Sequence, residues 1–311
     1  MLPVFVVAGP TASGKTVFSI ELAEKFREKE ICCEIINADS IQLYNELKIL
    51  TAFPNSKEMS RVPHHLFGIL EPFEMYSVGK WKQVAEAKID ELHKQGKIPI
   101  LCGGTGFYLN SIIQGIAKIP DVPENYRKEV WERFRKIGRE KFMGELLKLD
   151  SDNKLNPNNT QRILRAYEVV SFTGKPLSYW WSQGSKSKYN DVKTLVLLPP
   201  KEKLWENILK RSIHMVDNGA IEEVQEFLSR YPNYKGPLDR VIGFIEIQDF
   251  LERKISKEQL IEHMFIQTRQ YAKRQSTWFR NQMSDVMFAE AGFSDIINKF
   301  MIFYLSIDKK L

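Results

Sequence analysis

Gly9-Pro10-Thr11-Ala12-Ser13-Gly14-Lys15-Thr16 sets two glycines, a lysine and three hydroxyl side chains at the spacing G-x-x-x-x-G-K-T. The glycines let the backbone approach an anion closely. The helix start that follows aims free amide hydrogens at the same spot, so the ligand this stretch suits is phosphate. In that arrangement Lys15 neutralises a terminal phosphate and the Thr16 hydroxyl is a ligand for Mg²⁺. The plain alternative is a flexible glycine and serine loop. Against it stand the apolar run Val4-Phe5-Val6-Val7-Ala8 in front and a helix-like segment behind.

Two more polar clusters stand where strands end. Cys33 to Ala38 is strand-like and runs into Asp39-Ser40-Ile41-Gln42-Leu43-Tyr44, and Ile98 to Cys102 runs into Gly103-Gly104-Thr105-Gly106. In an open parallel sheet ligands bind at the carboxyl ends of strands, so Asp39 and Thr105 are expected to face the same crevice as the phosphate loop. The plain alternatives are a helix cap for Asp39, the lesser reading, and a tight turn for the glycines, the commoner one when they are taken alone. His64-His65 open a third strand-like run to Leu70 and invite a metal reading. Adjacent strand residues point to opposite faces and no third ligand is near in sequence, so a structural role is expected.

The elements that must hold these groups follow from periodicity. After the loop a helix runs over roughly Thr16 to Lys29, and Ser77 to Gln95 repeats Val78, Trp81, Val84, Ala85, Ile89 and Leu92 at helical spacing up to Gly96. From Pro120 to about Asn190 the strand and helix alternation lapses into helical segments, Tyr126 to Ile137 and Thr160 to Phe172. It resumes with the strand-like Lys193 to Pro200. The expected architecture is therefore α/β: a phosphate-loop parallel-sheet core formed by residues 1–119 plus 191–311, with an all-helical domain, 120–190, inserted into it. Helices follow over Lys201 to Asn218, Ala220 to Tyr231 and Leu238 to Leu251, and Phe288 onward reads as a closing helix and tail. Ser256-Lys257-Glu258-Gln259 fits a capping box that opens a helix carrying Arg269, Lys273, Arg274 and Arg280 among aromatic and glutamine residues. Such a basic, aromatic edge suits nucleic acid, although a solvated face is the default for any one charge.

Length and composition agree. The chain has 311 residues, 43% of them hydrophobic, enough for a sizeable core, and its net charge of +6 favours a polyanionic partner without proving one. Cys32, Cys33 and Cys102 have no C-x-x-C spacing and are expected to be reduced. No apolar run approaches the roughly 18 residues of a membrane span, and Met1-Leu2-Pro3 leads straight into the first strand, so a cytoplasmic protein is expected.

At this point the residues resemble one family, the tRNA dimethylallyltransferases. The resemblance rests on Gly9 to Thr16, Asn37 to Tyr44, Val62-Pro63-His64-His65-Leu66, Gly103 to Tyr108, Asn159-Thr160-Gln161-Arg162-Ile163, Thr173-Gly174-Lys175 and Thr268 to Gln275. It implies transfer of a dimethylallyl group from dimethylallyl diphosphate to N6 of adenosine 37 of tRNA, with Mg²⁺, by a monomer. The loop Gly9, Pro10, Thr11, Ala12, Ser13, Gly14, Lys15 and Thr16 would then hold diphosphate rather than a nucleoside triphosphate, with Arg240 as a clamp. Asp39 takes the position of the general base, and Thr105 that of a hydroxyl supporting the reacting group. The anticodon loop would meet Asp39, Ser40, Ile41, Gln42 and Thr105, the insertion's Arg127, Gln161, Arg162, Ile163, Leu164 and Arg165, and Arg269, Lys273 and Arg274. The chain departs from the family in two places. The pattern Asp-Ile-Gly-Thr-Ala-Lys-Pro is here Lys48-Ile49-Leu50-Thr51-Ala52-Phe53-Pro54, and Phe244 stands for a tyrosine.

Three other readings share part of this pattern. A kinase or NTPase would use the same loop with Asp39 on the metal, but has no need of the basic helix or the insertion. A relative that prenylates free adenine nucleotides would lack the basic helix, and an RNA-binding protein without catalysis would have no use for Lys15, Asp39 and Thr105.

Overall fold

The computed structural model describes residues 2–152, 155–184, 186–290 and 293–308. Its sheet has six parallel strands: β1 (Val4–Ala8), β2 (Cys33–Asn37), β3 (His64–His65), β4 (Ile98–Gly103), β5 (Val192–Leu197) and β6 (Met287–Ala289). They lie in the order β3-β2-β4-β1-β5-β6. All five residues of β1 are buried, as a central parallel strand covered on both faces requires. Its side chains alternate: Val4, Val6 and Ala8 join a core with Trp81, Leu109, Phe227 and Phe244, while Phe5 and Val7 join another with Phe18, Phe26, Ile297 and Phe300. The chain divides into two compact units, one formed by the described residues up to Ile113 and from Tyr189 onward, the other by Gln114–Lys188. Sequence reading had put these boundaries at 120 and 190.

The helices of the first unit are α1 (Lys15–Arg27), α2 (Ser56–Arg61), α3 (Val78–Lys94), α4 (Gly106–Ile113), α8 (Lys201–Asp217), α9 (Ala220–Arg230), α10 (Phe244–Leu251), α11 (Lys257–Gln282) and α12 (Phe293–Asp308). The expected capping box forms at Ser256 and Gln259 and starts α11. Trp81 of α3 is fully buried, stacks on Tyr108 at 4.5 Å and donates its indole hydrogen to the Asn37 carbonyl at 3.0 Å. That contact fixes the end of β2 just before Asp39. The second unit holds α5 (Glu124–Leu149), α6 (Thr160–Thr173) and α7 (Leu177–Ser182) around Val130, Phe142, Leu146, Ile163, Leu164 and Val169. Its helix α5 runs on past the expected end at Ile137, across a kink where Gly138 leaves helical geometry.

Three readings are corrected. The strand read over His64 to Leu70 stops at His65, because Leu66 and Gly68 take positive φ, 62° and 60°, and turn the chain. In place of a helix from Leu238 there is a 3₁₀ turn, Pro237–Arg240, and α10 begins only at Phe244. Before the closing helix comes β6, three residues paired with Leu195, Val196 and Leu197, too short to show a period of its own. The expected tail beyond Asp308 lies outside the described residues.

Gly103 ends β4 where a Cβ would stand 2.1 Å from the Ala38 carbonyl oxygen. Backbone cannot yield there as a side-chain tip can. Gly103→Ala is expected to lower stability by about 1–3 kcal/mol, the cost of forced overpacking, with thermal unfolding as the measurement.

Candidate active site

The phosphate loop is shaped from three directions. Gly14 takes φ 87° and Lys15 opens α1 immediately after it. From α8, Asn207 donates to the Ala12 carbonyl at 3.2 Å, and the Arg211 guanidinium donates to Thr11 Oγ1 at 3.1 Å. From α11, the buried Gln275 accepts the Thr11 amide hydrogen at 2.8 Å and donates to the Gly104 carbonyl at 2.9 Å. This one side chain joins the phosphate loop to the loop that carries Thr105. A Cβ on Gly104 would stand 2.5 Å from the Gln275 amide nitrogen, so a side chain there would have to displace the bridging amide.

Asp39 and Thr105 are brought together through Ser40. The Thr105 hydroxyl accepts the Ser40 amide hydrogen at 3.0 Å and donates to Ser40 Oγ at 3.3 Å, and the Thr105 amide donates to the Ala38 carbonyl at 3.2 Å. The turn at Asp39 is held by Asn37, whose Oδ1 accepts the Asp39 amide hydrogen at 2.8 Å and whose amide donates to the Asp39 and Leu66 carbonyls. Asp39 Oδ1 accepts from the Ile41 amide at 3.0 Å, which fixes the carboxylate against its own backbone. Thr11, Lys15, Thr16, Asp39, Ser40, Ile41, Gln42, Arg211, Arg240, Tyr271 and Arg274 all line one cavity of about 1260 Å³ at the carboxyl edge of the sheet.

Electrostatics favour an anion here. Burial holds the Lys15 ammonium down at about 8; Cys102 and Asp39 pull it upward and Arg211 pushes it further down. Lys15 meanwhile donates to the Pro10 carbonyl at 2.7 Å. Burial also lowers Arg211, opposed by Asp39, and burial with the nearby Asp39 charge pushes the Tyr271 phenol well up, so it stays protonated. Ser13 Oγ is buried with no partner among the described residues, a polar group that a bound phosphate would satisfy.

The remaining expected residues fall into three groups. Arg240 lines the cavity with its side chain 73% exposed, so it stands at the rim, while the cation against the loop is Arg211. Gln42 spends both amide hydrogens on the Thr51 and Ala52 carbonyls, at 3.1 and 2.8 Å, and so holds a neighbouring loop. On α11, Lys273 and Arg274 are exposed and Arg269 lies 4.1 Å over the Trp205 ring. In the helical unit Gln161 and Arg162 are exposed at the start of α6 and Arg165 pairs with Glu168. Arg127 stands 3.8 Å from Asp121. Ile163 and Leu164, expected among the RNA-facing residues, are instead buried in that unit's core, where their side chains anchor the helix that displays Gln161 and Arg162.

Sequence reading missed Arg211 and gave Gln275 no role. Each sits on the buried stripe of its helix, Arg211 between Ile208 and Met215 and Gln275 between Ala272 and Phe279. A polar residue at a core position was the available signal. The departures also find their places: Leu50 is buried against Gly243, and Phe244 is buried beside Phe227 and Tyr234.

A glycine loop, a carboxylate and hydroxyls around one cavity, on a parallel sheet whose chain is interrupted by a helical unit, define an α/β protein of phosphate-loop type with a cavity suited to an anion. The chain belongs to the IPP transferase family, whose model matches residues 42–282. A tRNA dimethylallyltransferase of Pelagibacter ubique is 43% identical over 285 residues, covering 90% of this chain and 89% of that protein. One from Rhodospirillum centenum is 37% identical over 91% of this chain and 90% of its own length. Among solved structures, a full-length tRNA isopentenylpyrophosphate transferase of Bacillus halodurans superposes with a TM-score of 0.71 and 32% identity over 98% of this chain and 96% of its own. A eukaryotic dimethylallyltransferase acting on tRNA gives 0.81 and 29% over 93% of this chain and 74% of its own.

Because Lys15 is held at about 8, an anion that restores its charge must take up protons. Calorimetry at pH 8 in buffers of different ionisation enthalpy is expected to show uptake of about half a proton per dimethylallyl diphosphate bound. Uptake should grow above pH 8, fade below it, and vanish in Lys15→Met. Equal heats in all buffers would show that Lys15 is already fully charged.

Proposed function

We propose that this chain transfers a dimethylallyl group from dimethylallyl diphosphate to N6 of adenosine 37 in tRNA, releasing diphosphate, and that it acts as a cytoplasmic monomer. The observation that carries this reading is that a carboxylate, Asp39, shares one cavity with the anion-seeking groups Lys15 and Arg211 and with Ser40, whose amide donates to the Thr105 hydroxyl behind it. All of these come from one chain. The adenine amine forms a bond to the allylic carbon, the carbon–oxygen bond breaks, and its electron pair leaves with diphosphate. Lys15, Arg211 and the loop amides stabilise that departing charge in a partly dry cavity, where fixed cations act more strongly than in water. The amine proton passes to Asp39, whose turn is fixed by Asn37 and the Ile41 amide.

Magnesium fits as a partner of the substrate. No cluster of three His, Cys, Asp or Glu side chains suited to a metal occurs among the described residues, whereas the Thr16 hydroxyl lines the cavity at the head of α1. Thr16 would hold Mg²⁺ together with diphosphate oxygens, and the ion would supply further neutralisation of the leaving group.

For the RNA, charge supports the reading. Residues 114–188 carry 15 Lys and Arg against 9 Asp and Glu, and the rest of the chain carries 30 of each, so the whole net charge of +6 lies in the helical unit. Such a unit suits a phosphate backbone, and α11 adds Lys273 and Arg274. A base stacked in a loop must leave its stack to reach Asp39.

Incubating the protein with bulk tRNA and labelled dimethylallyl diphosphate, then analysing nucleosides by mass, is expected to give N6-dimethylallyladenosine; label transfer from ATP instead would support a kinase. Asp39→Ala should lower turnover by roughly 10²–10⁴-fold while tRNA affinity stays within about threefold. Unchanged turnover would remove the general-base role. Lys273→Ala should weaken binding of all tRNAs alike and flatten the log–log salt dependence by about 0.7–0.9, and an unchanged slope would make that face plain solvated surface.

A further inference from the structure

The loop at 47–54 carries a cation that the transfer chemistry leaves unused. Lys48 Nζ lies 5.3 Å over the Phe53 ring, and both residues line the cavity that holds Asp39 and Lys15. The Phe53 amide donates to the Lys48 carbonyl at 2.9 Å, so the turn itself sets the two residues side by side. That turn is held from outside. Glu223 of α9 accepts from the Ile49 amide at 2.9 Å and the Leu50 amide at 3.0 Å, while Gln42 donates to the Thr51 and Ala52 carbonyls. Leu47 and Ala52 sit at φ 54° and 50° to close it. Its outer face is fixed too, because Arg230 of α9 pairs with Glu46 through two bonds of 2.6 and 2.7 Å.

The ring orients the lysine stem, and Phe67 meets the Phe53 ring at 5.4 Å to keep it in place. Among the described residues no carboxylate pairs with Lys48; Glu223, the acid bound to this turn, is engaged by backbone amides. Arg240, another of the cations that line the cavity, is 3.9 Å from Asp239 and largely exposed. Where the resembling pattern Asp-Ile-Gly-Thr-Ala-Lys-Pro puts an acid first and a lysine sixth, this chain has Lys48 and Phe53.

We propose that Lys48 is a phosphate-binding residue of the cavity, displayed by the Phe53 ring. The inference rests on the transferase reading, in which phosphate reaches this wall either in the allylic diphosphate or in the RNA backbone. A cation without an acidic partner, seated on a ring and facing a cavity, offers an anion full charge at little ordering cost.

The test compares Lys48→Gln, Lys48→Arg, Lys48→Asp and the pair Lys48→Asp with Phe53→Lys in the transfer assay, with direct titration of bulk tRNA and of dimethylallyl diphosphate alongside. Lys48→Gln is expected to raise one KM and the matching Kd by about 3–10-fold with kcat within twofold, and Lys48→Arg to behave as wild type. The double variant should recover most of what Lys48→Asp loses. A weakened tRNA with a salt slope lower by about 0.7–0.9 makes the source the RNA backbone. A weakened diphosphate makes it the donor. Both constants within twofold of wild type in Lys48→Gln would overturn the inference. Transfer by the wild-type chain in the same assay separates that result from failure of the transferase reading, and the titrations decide the matter even without turnover.

Discussion

Two loops that leave different strands must keep a fixed distance if a leaving group on one is to meet groups on the other, and the Gln275 amide is what holds that distance. Its oxygen takes an amide hydrogen from Thr11 and its nitrogen gives a hydrogen to Gly104, both within 3 Å. Buried polar groups left unpaired cost about 1–3 kcal/mol each, so neither loop can drift without exposing an unsatisfied donor or acceptor. The rest of the cavity hangs on that link. Thr105 follows Gly104 and holds Ser40, Ser40 follows Asp39, and Lys15 and Thr16 follow the loop that Thr11 begins.

Charge then acts on a preset geometry. Lys15, Arg211 and Asp39 sense one another in a site dry enough to lower both cations, so part of the cost of gathering positive charge is already met before an anion arrives. An incoming anion would repair that imbalance. Asp39, tied by Asn37 and Ile41, keeps a fixed aim as the charge moves. The turn at 47–54, which lines the same cavity, follows the same logic, with Glu223 and Gln42 holding the backbone that carries Lys48 and Phe53.

What was legible in the sequence was local. The phosphate loop, Asp39 and Thr105 announce themselves because glycines and polar residues interrupt apolar strands, and those interruptions are contiguous. The helical unit showed itself by the lapse of alternation. Arg211 stayed hidden because its partner Thr11 lies 200 residues away and only the fold brings them together. Gln42 has a second task that its sequence did not show: both its donors go to carbonyls nine and ten residues on, which ties down the neighbouring loop. Ile163 and Leu164 belonged to a motif that mixes surface and core, and helical phase puts them inside. Strand β6 was missed because three residues hold no period.

The most direct test of this account is a single-turnover measurement of group transfer by Gln275→Glu, which keeps the side chain's shape and its oxygen but cannot donate to the Gly104 carbonyl. Misplacing one loop against the other by about an ångström is expected to slow transfer roughly 10²-fold, while the tRNA dissociation constant stays within about threefold. A folded Gln275→Glu protein that transfers at the wild-type rate would contradict the claim that this bridge sets the site.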